Sequence, residues 1–122
     1  MPNRHDDVVR RLAEACRLAD LDALRAVLDP DAVVVCDGGG SVPGGKDVVV
    51  HGAAEVSRLV AGLLCGHRDG QPTVEAVNGR TGLALRRAGR VVAVIAVEEL
   101  EDRAAVLWIV LNPVKLRSWN RG

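Results

Sequence analysis

The chain has no tyrosine and no phenylalanine, and only two tryptophans, among its 122 residues. Binders of single-stranded nucleic acid stack bases on aromatic rings, and that platform is missing here. An excess of basic charge is missing too. Sixteen Lys and Arg residues face sixteen Asp and Glu residues, for a formal net charge of zero. Phosphate contacts dominate nucleic-acid affinity, so no direct DNA or RNA partner is expected. The basic end "KLRSWNRG" reads as a solvated tail.

Long apolar runs are also absent. No stretch reaches the ~18 residues that span a bilayer. The opening "MPNRHDDVVRR" lacks the apolar core of a signal peptide. No membrane partner is expected, and a bacterial cytoplasm is the expected location. Cysteine is sparse: Cys16, Cys36 and Cys65 are widely spaced and contain no C-x-x-C pair. Cys16 and Cys36 sit in apolar patterns, where a free thiol behaves as a small hydrophobe. "CGH" (Cys65, His67) offers two ligand types without a partner cluster, so no metal site and no cofactor are expected.

What remains suits one domain over residues 1–122, with 48% hydrophobic and 26% charged residues. Asn3 can cap a first helix with Asp6 in its first turn. Val8, Leu12, Cys16 and Ala19 follow at helical spacing, with Ala15 in the same stripe. Asp20 can cap a short helix, "LDALRAVL", whose Leu21, Leu24, Val27 and Leu28 face one way and which Pro30 ends. "AVVVCD" is β-branched and reads as a strand, and "DVVVHG" as another. Between Ala53 and Leu64 helical spacing returns, stopped by Gly66. "TVEAV", "TGLALRR", "VVAVIAVEEL" and "AAVLWIVL" then read as a four-stranded meander. Asn78-Gly79 marks its first hairpin. The plan is α+β.

"VVAVIAV" and "AAVLWIVL" do not alternate with polar residues, as strands with one wet face should. Both faces of these strands are therefore expected to be covered. Helices can cover one; the other calls for a partner subunit or domain, and a homodimer is expected of the isolated chain.

Candidate chemistry gathers around "CDGGGSVPGGK". A phosphate loop needs a G-x-G-x-x-G spacing or a Lys-Ser/Thr end before a helix, and neither is present. The glycines also suit a loose strand-to-strand turn. Asp37 shares a face with Val33 and Val35, while Cys36 shares the other with Val34. On an apolar-lined face Asp37 could abstract a proton beside a carbonyl. The enolate oxygen would then need a donor, and without tyrosine only Trp108, His51 and Glu98 remain. His51 also reads as a capping or core-edge residue, and Trp108 as packing.

The order of elements, "ALRAVLDPDAVVVCDGGG" and "IVLNPVKLR" resemble the SnoaL-like branch of the cone-shaped nuclear-transport-factor-like superfamily. More narrowly, they resemble the C-terminal extension of a group of extracytoplasmic-function sigma factors. That group carries D-G-G-G-K-x after its first strand; here Asp37, Gly38, Gly39 and Gly40 are followed by Ser41 in place of lysine. It carries N-P-D-K-L after its last strand; here Asn112, Pro113, Lys115 and Leu116 enclose Val114 in place of aspartate. "VNGRTGLAL" resembles the group's V-N-G-x-x-G pattern. The resemblance covers nearly the whole chain. It implies a cone-shaped α+β fold, with three helices from the N-terminal half on a curved, mostly antiparallel sheet. It also implies a non-catalytic domain that packs on sigma regions, and so acts on RNA polymerase indirectly, through those eight residues.

The wider superfamily includes ketosteroid isomerase and polyketide cyclases, and Asp37 falls near the isomerase base. That leaves an enzyme alternative with Asp37 as general base. A cone lined by Val, Ala and Leu is further expected to leave a pocket at its open end for a small apolar ligand, with Asp37 near its mouth and His51 and Trp108 as lining candidates.

Overall fold

A computed structural model describes residues 3–37, 48–65 and 72–120. Helix α1 spans Arg4–Arg17, and the Asn3 side chain caps it by accepting from the Asp6 amide at 2.7 Å. Its buried stripe is His5, Val8, Val9, Leu12, Ala15 and Cys16. Ala19 does not join that stripe: it is exposed with φ 51°, in the turn after the helix. Helix α2, Leu21–Val27, is capped by Asp20, which accepts from the Ala23 amide at 3.2 Å. Leu24 and Val27 are buried, whereas Leu21 is 45% exposed.

Strand β1 spans Leu28–Asp37, longer than the expected "AVVVCD". Leu28 begins this strand instead of ending α2, and Pro30 lies within it. The β1 register shifts between Leu28 and Val33, an irregularity where a residue without an amide proton does no harm. Strand β2 (Val48–His51) runs antiparallel to β1. Helix α3 (Ala53–Leu64) starts at Gly52, whose amide donates to the Ala32 carbonyl at 2.8 Å. Gly66, with Gly38–Lys46 and His67, lies outside the described residues.

Strands β3 (Pro72–Val77), β4 (Arg80–Arg87), β5 (Arg90–Leu100) and β6 (Arg103–Val110) form the expected meander. Asn78 and Gly79 both have positive φ, 51° and 82°, as the tight primed hairpin turn requires. The six strands make one curved, unclosed sheet in the order β2-β1-β6-β5-β4-β3. All pairs are antiparallel except β1–β6, which is parallel.

The three helices cover one face of this sheet. Leu12 and Leu24 meet Val34, Leu83, Leu85, Ile95, Leu107 and Ile109 there, every one at most 2% exposed. The sheet's opposite face carries a second, smaller cluster of Val77, Ala84, Val91, Val94 and Leu116. No described helix is long and apolar enough to cross a membrane.

Candidate functional site

The candidate site is built where β1 and β6 end side by side. Their parallel register sets Val35 beside Trp108 and Asp37 beside Val110. By the two-residue period these side chains stand on the face away from the helices, while Val34 and Cys36 enter the helix-covered core. The Leu111 amide extends the ladder by donating to the Asp37 carbonyl at 2.8 Å.

Beyond β6 the chain reverses. The Asn112 side-chain oxygen accepts from the Val114 amide at 3.1 Å, and the Asn112 carbonyl accepts from the Leu116 amide at 3.1 Å. Pro113 sits inside this turn, where its lack of an N–H costs nothing. The reversal returns Lys115 to Asp37, to whose Oδ2 its ammonium donates. It also drops Leu116 onto the outer sheet face, 3% exposed. A 3-10 turn, Arg117–Asn120, then lays Trp119 against the same cluster. Asn120 fixes the segment: its Oδ1 accepts from the Val91 amide at 2.8 Å, and its Nδ2 donates to the Val91 carbonyl at 3.0 Å. The segment expected as a solvated tail is thus anchored, because Leu116 and Trp119, three residues apart, present one apolar face.

Under this segment lies a cavity of about 560 Å³. Val94, Ala96 and Val110 form its floor, with Val77 and Leu116 beside them. Trp108 and Trp119 both line it, and Lys115 and Asn78 contribute its polar groups. The pocket was expected at the cone's open end; this cavity opens on the outer face of the sheet, away from the described core between helices and sheet. Next to it the sheet stays bare: Val49 is 53% and Trp108 41% exposed, with Val33, Val35 and Val106 half-buried. Among the described residues, the C-terminal segment packs over β4 and β5 on this side through Leu116 and Trp119.

Of the residues singled out from sequence, Asp37, Asn112, Pro113, Lys115 and Leu116 meet at one corner. Gly38, Gly39 and Gly40 follow Asp37 but lie outside the described residues, as does Ser41. Val114 is exposed at 63%. Trp108 lines the cavity; His51 does not, and is exposed at the end of β2, neither capping α3 nor entering the core. Sequence reasoning passed over Asn78 as a lining residue, and also Trp119 and Asn120.

It also passed over a buried pair on the opposite side. His5, 7% exposed, meets Glu99 Oε2 with Nδ1 at 2.5 Å and the Thr81 carbonyl with Nε2 at 2.7 Å. Both partners are acceptors when Glu99 is ionised, so a doubly protonated ring satisfies both. Burial pushes the Glu99 carboxyl up, but the hydrogen bond from His5, a backbone hydrogen bond and the nearby Arg80 hold it below its ordinary 4.5. A lone histidine near a first-turn acid gave no signal of this, because its partners are 76 and 94 residues away.

Solved structures share this arrangement of three helices on a curved, mostly antiparallel sheet. The chain matches the Mycobacterium tuberculosis extracytoplasmic function sigma factor SigJ with a TM-score of 0.69 and 26% identity. It matches an NTF2-like protein of unknown function from Mesorhizobium loti with a TM-score of 0.65 and 16% identity, over 91% of this chain and 96% of that one. This is the cone fold of the nuclear-transport-factor-like superfamily. The cone domain also matches IdmH, a proposed polyketide cyclase from Streptomyces antibioticus, with a TM-score of 0.59, 18% identity, and coverage of 95% and 97%. The SigJ match covers 93% of the cone domain but only 44% of the SigJ chain. No family model and no curated protein matches the sequence.

Proposed function

We propose that the cone domain is a non-catalytic regulatory module that packs against the helical regions of an extracytoplasmic-function sigma factor. One observation carries this reading. The two stretches that resemble the sigma-factor extensions, more than seventy residues apart in sequence, are joined by the Asp37–Lys115 pair. That pair stands beside an uncovered apolar strip of Val35, Val49 and Trp108, in a chain 26% identical to SigJ. An apolar strip edged by an ion pair is the composition of a protein interface: burial supplies affinity and the charges set register.

The enzyme alternative has less support. IdmH shares the fold at 18% identity, and fold alone does not carry activity. Asp37 faces away from the helix-covered interior and already accepts from an ammonium, so a general base would have to displace Lys115 first.

Isothermal titration of the cone domain into the helical regions of such a sigma factor tests the regulatory reading. Binding is expected, weakened several-fold by Val49→Ser and by Lys115→Ala. Ser41→Lys with Val114→Asp, which restores the residues of the resembling group, is expected to tighten it. No heat and no co-elution with any such region would end the reading. Turnover of an enolisable ketone that vanishes in Asp37→Asn would put the enzyme reading in its place.

A further inference from the structure

Both tryptophans of this chain, which are its entire complement of Trp, Tyr and Phe, line one cavity. The helix-covered core contains neither of them. Trp108 points away from the helix-covered core and remains 41% exposed, while Trp119 reaches the cavity from a separate turn held by Asn120. A chain that fills its core with Val, Leu, Ile and Ala thus keeps its only large rings for a hollow on the outer face.

We propose that this cavity binds a flat aromatic molecule carrying one hydrogen-bond-accepting oxygen. The volume, about 560 Å³, falls within the ~300–1,000 Å³ of small-molecule sites. Indole rings offer wide, rigid, polarisable surfaces on which a planar ring gains more than a flexible aliphatic chain does. The polar groups select the rest. Lys115, whose ammonium donates to Asp37, stands in the lining as an N–H donor. The Asp37 carboxylate held by Lys115 would repel a full anion, so a carbonyl or ether oxygen is favoured. Asn78, at the other polar position, can donate or accept. A smaller hollow of about 260 Å³ shares Val77, Asn78, Ala96 and Trp108 with the cavity, giving an elongated ring system room to extend toward Arg80.

Binding stands independently of the regulatory reading; only its consequence rests on it. A ligand that takes Lys115 touches the pair that joins the two resembling stretches, so it would alter the proposed sigma contact.

The test uses prodan, a neutral naphthalene ketone whose emission shifts to the blue in apolar surroundings. Titrated into the whole chain, prodan is expected to bind saturably, close to one per chain. Tryptophan emission should fall in parallel, since both tryptophans border the site. Ala96→Leu fills the floor and is expected to weaken binding by ~10-fold or more, with the cooperative melt retained. Lys115→Met is expected to weaken it several-fold, and Leu100→Ser, on an exposed hairpin elsewhere, not at all. A linear, unsaturable rise, or unchanged affinity in a folded Ala96→Leu, overturns the proposal. So does a stable dimer in which both tryptophans are shielded from acrylamide, since a second copy would then occupy the cavity. None of these results bears on the sigma-factor titration, which is read without ligand.

Discussion

Asp37, the last residue of β1, accepts a hydrogen bond from Lys115, 78 residues further along the chain. The contact ties the end of one strand to the reversal after another, and the Asp37 side chain is 18% exposed while that of Lys115 is 62% exposed. A pair this open to water contributes under about 1 kcal/mol to stability. In urea unfolding, Asp37→Ala and Lys115→Ala should each cost less than that, and the double variant little more than the worse single one. A large additive loss would show that the two side chains act separately.

Gly82 on β4 has no room for a side chain. A Cβ built there would lie 2.5 Å from the Ile95 carbonyl oxygen and 2.7 Å from a Val77 methyl. The first of these is backbone in the middle of the sheet and cannot step aside. Gly82→Ala should therefore destabilise by roughly 1–3 kcal/mol, seen as a lower urea midpoint with an unchanged slope. An unchanged midpoint would mean that the β4–β5 pair yields readily.

Glu99 gives the fold an acid limit. Its carboxyl is held below the ordinary value, so the unfolded chain binds its proton at a higher pH than the folded chain does. The stabilisation is fully present above about pH 4.5 and is lost as pH falls through the folded value. Glu99→Gln should lower the melting temperature at pH 7 and flatten its decline below pH 4.5. Parallel melting curves for the two proteins from pH 3 to pH 7 would remove Glu99 as the cause.

Two of the three thiols should differ in reactivity. Cys16 and Cys65 are hydrogen-bonded to each other; that bond lowers the Cys65 thiol below its ordinary value against the opposing effect of burial, and the same bond together with burial pushes Cys16 up. Cys65 is also the least covered of the three, at 7% exposure. Brief alkylation of the native protein by iodoacetamide, mapped by mass spectrometry, should mark Cys65 before Cys16. Cys16 reacting before Cys65 would contradict the pairing.

Asn120 should control the wall of the outer cavity. Asn120→Ala removes both of its hydrogen bonds to Val91. Trp119 emission should shift to the red and acrylamide quenching should rise, while far-ultraviolet circular dichroism stays unchanged. An unaltered spectrum would mean that Leu116 alone holds the segment.

Periodic and capped elements were legible in the sequence: α1 with Asn3, α2 with Asp20, α3, and the meander with its Asn-Gly turn. Local chemistry determines each of these, so a window of a dozen residues contains the signal. The start of β1 was not legible, since Leu28 continues the helical stripe of α2 and only pairing with Ala104 makes it a strand. Neither was the side on which the cavity opens. The alternation placed Asp37 with Val33 and Val35, but which face the helices would cover depends on contacts far apart in sequence. Leu116 and Trp119 were hidden for another reason. Two apolar residues among basic neighbours give no regular pattern until the sheet they rest on is known.

The parallel pairing of β1 with β6 sets the order in which this chain can fold. β6 lies between β1 and β5, so β1 and β2 cannot join the meander until β6 is available. The β3–β6 hairpins can close locally and early, whereas the β1–β6 seam must overcome the loop entropy of more than seventy intervening residues. Until that seam closes, two strand edges rich in valine stay open to any neighbouring chain. Closing the seam therefore also takes the chain's stickiest edges out of reach of its neighbours.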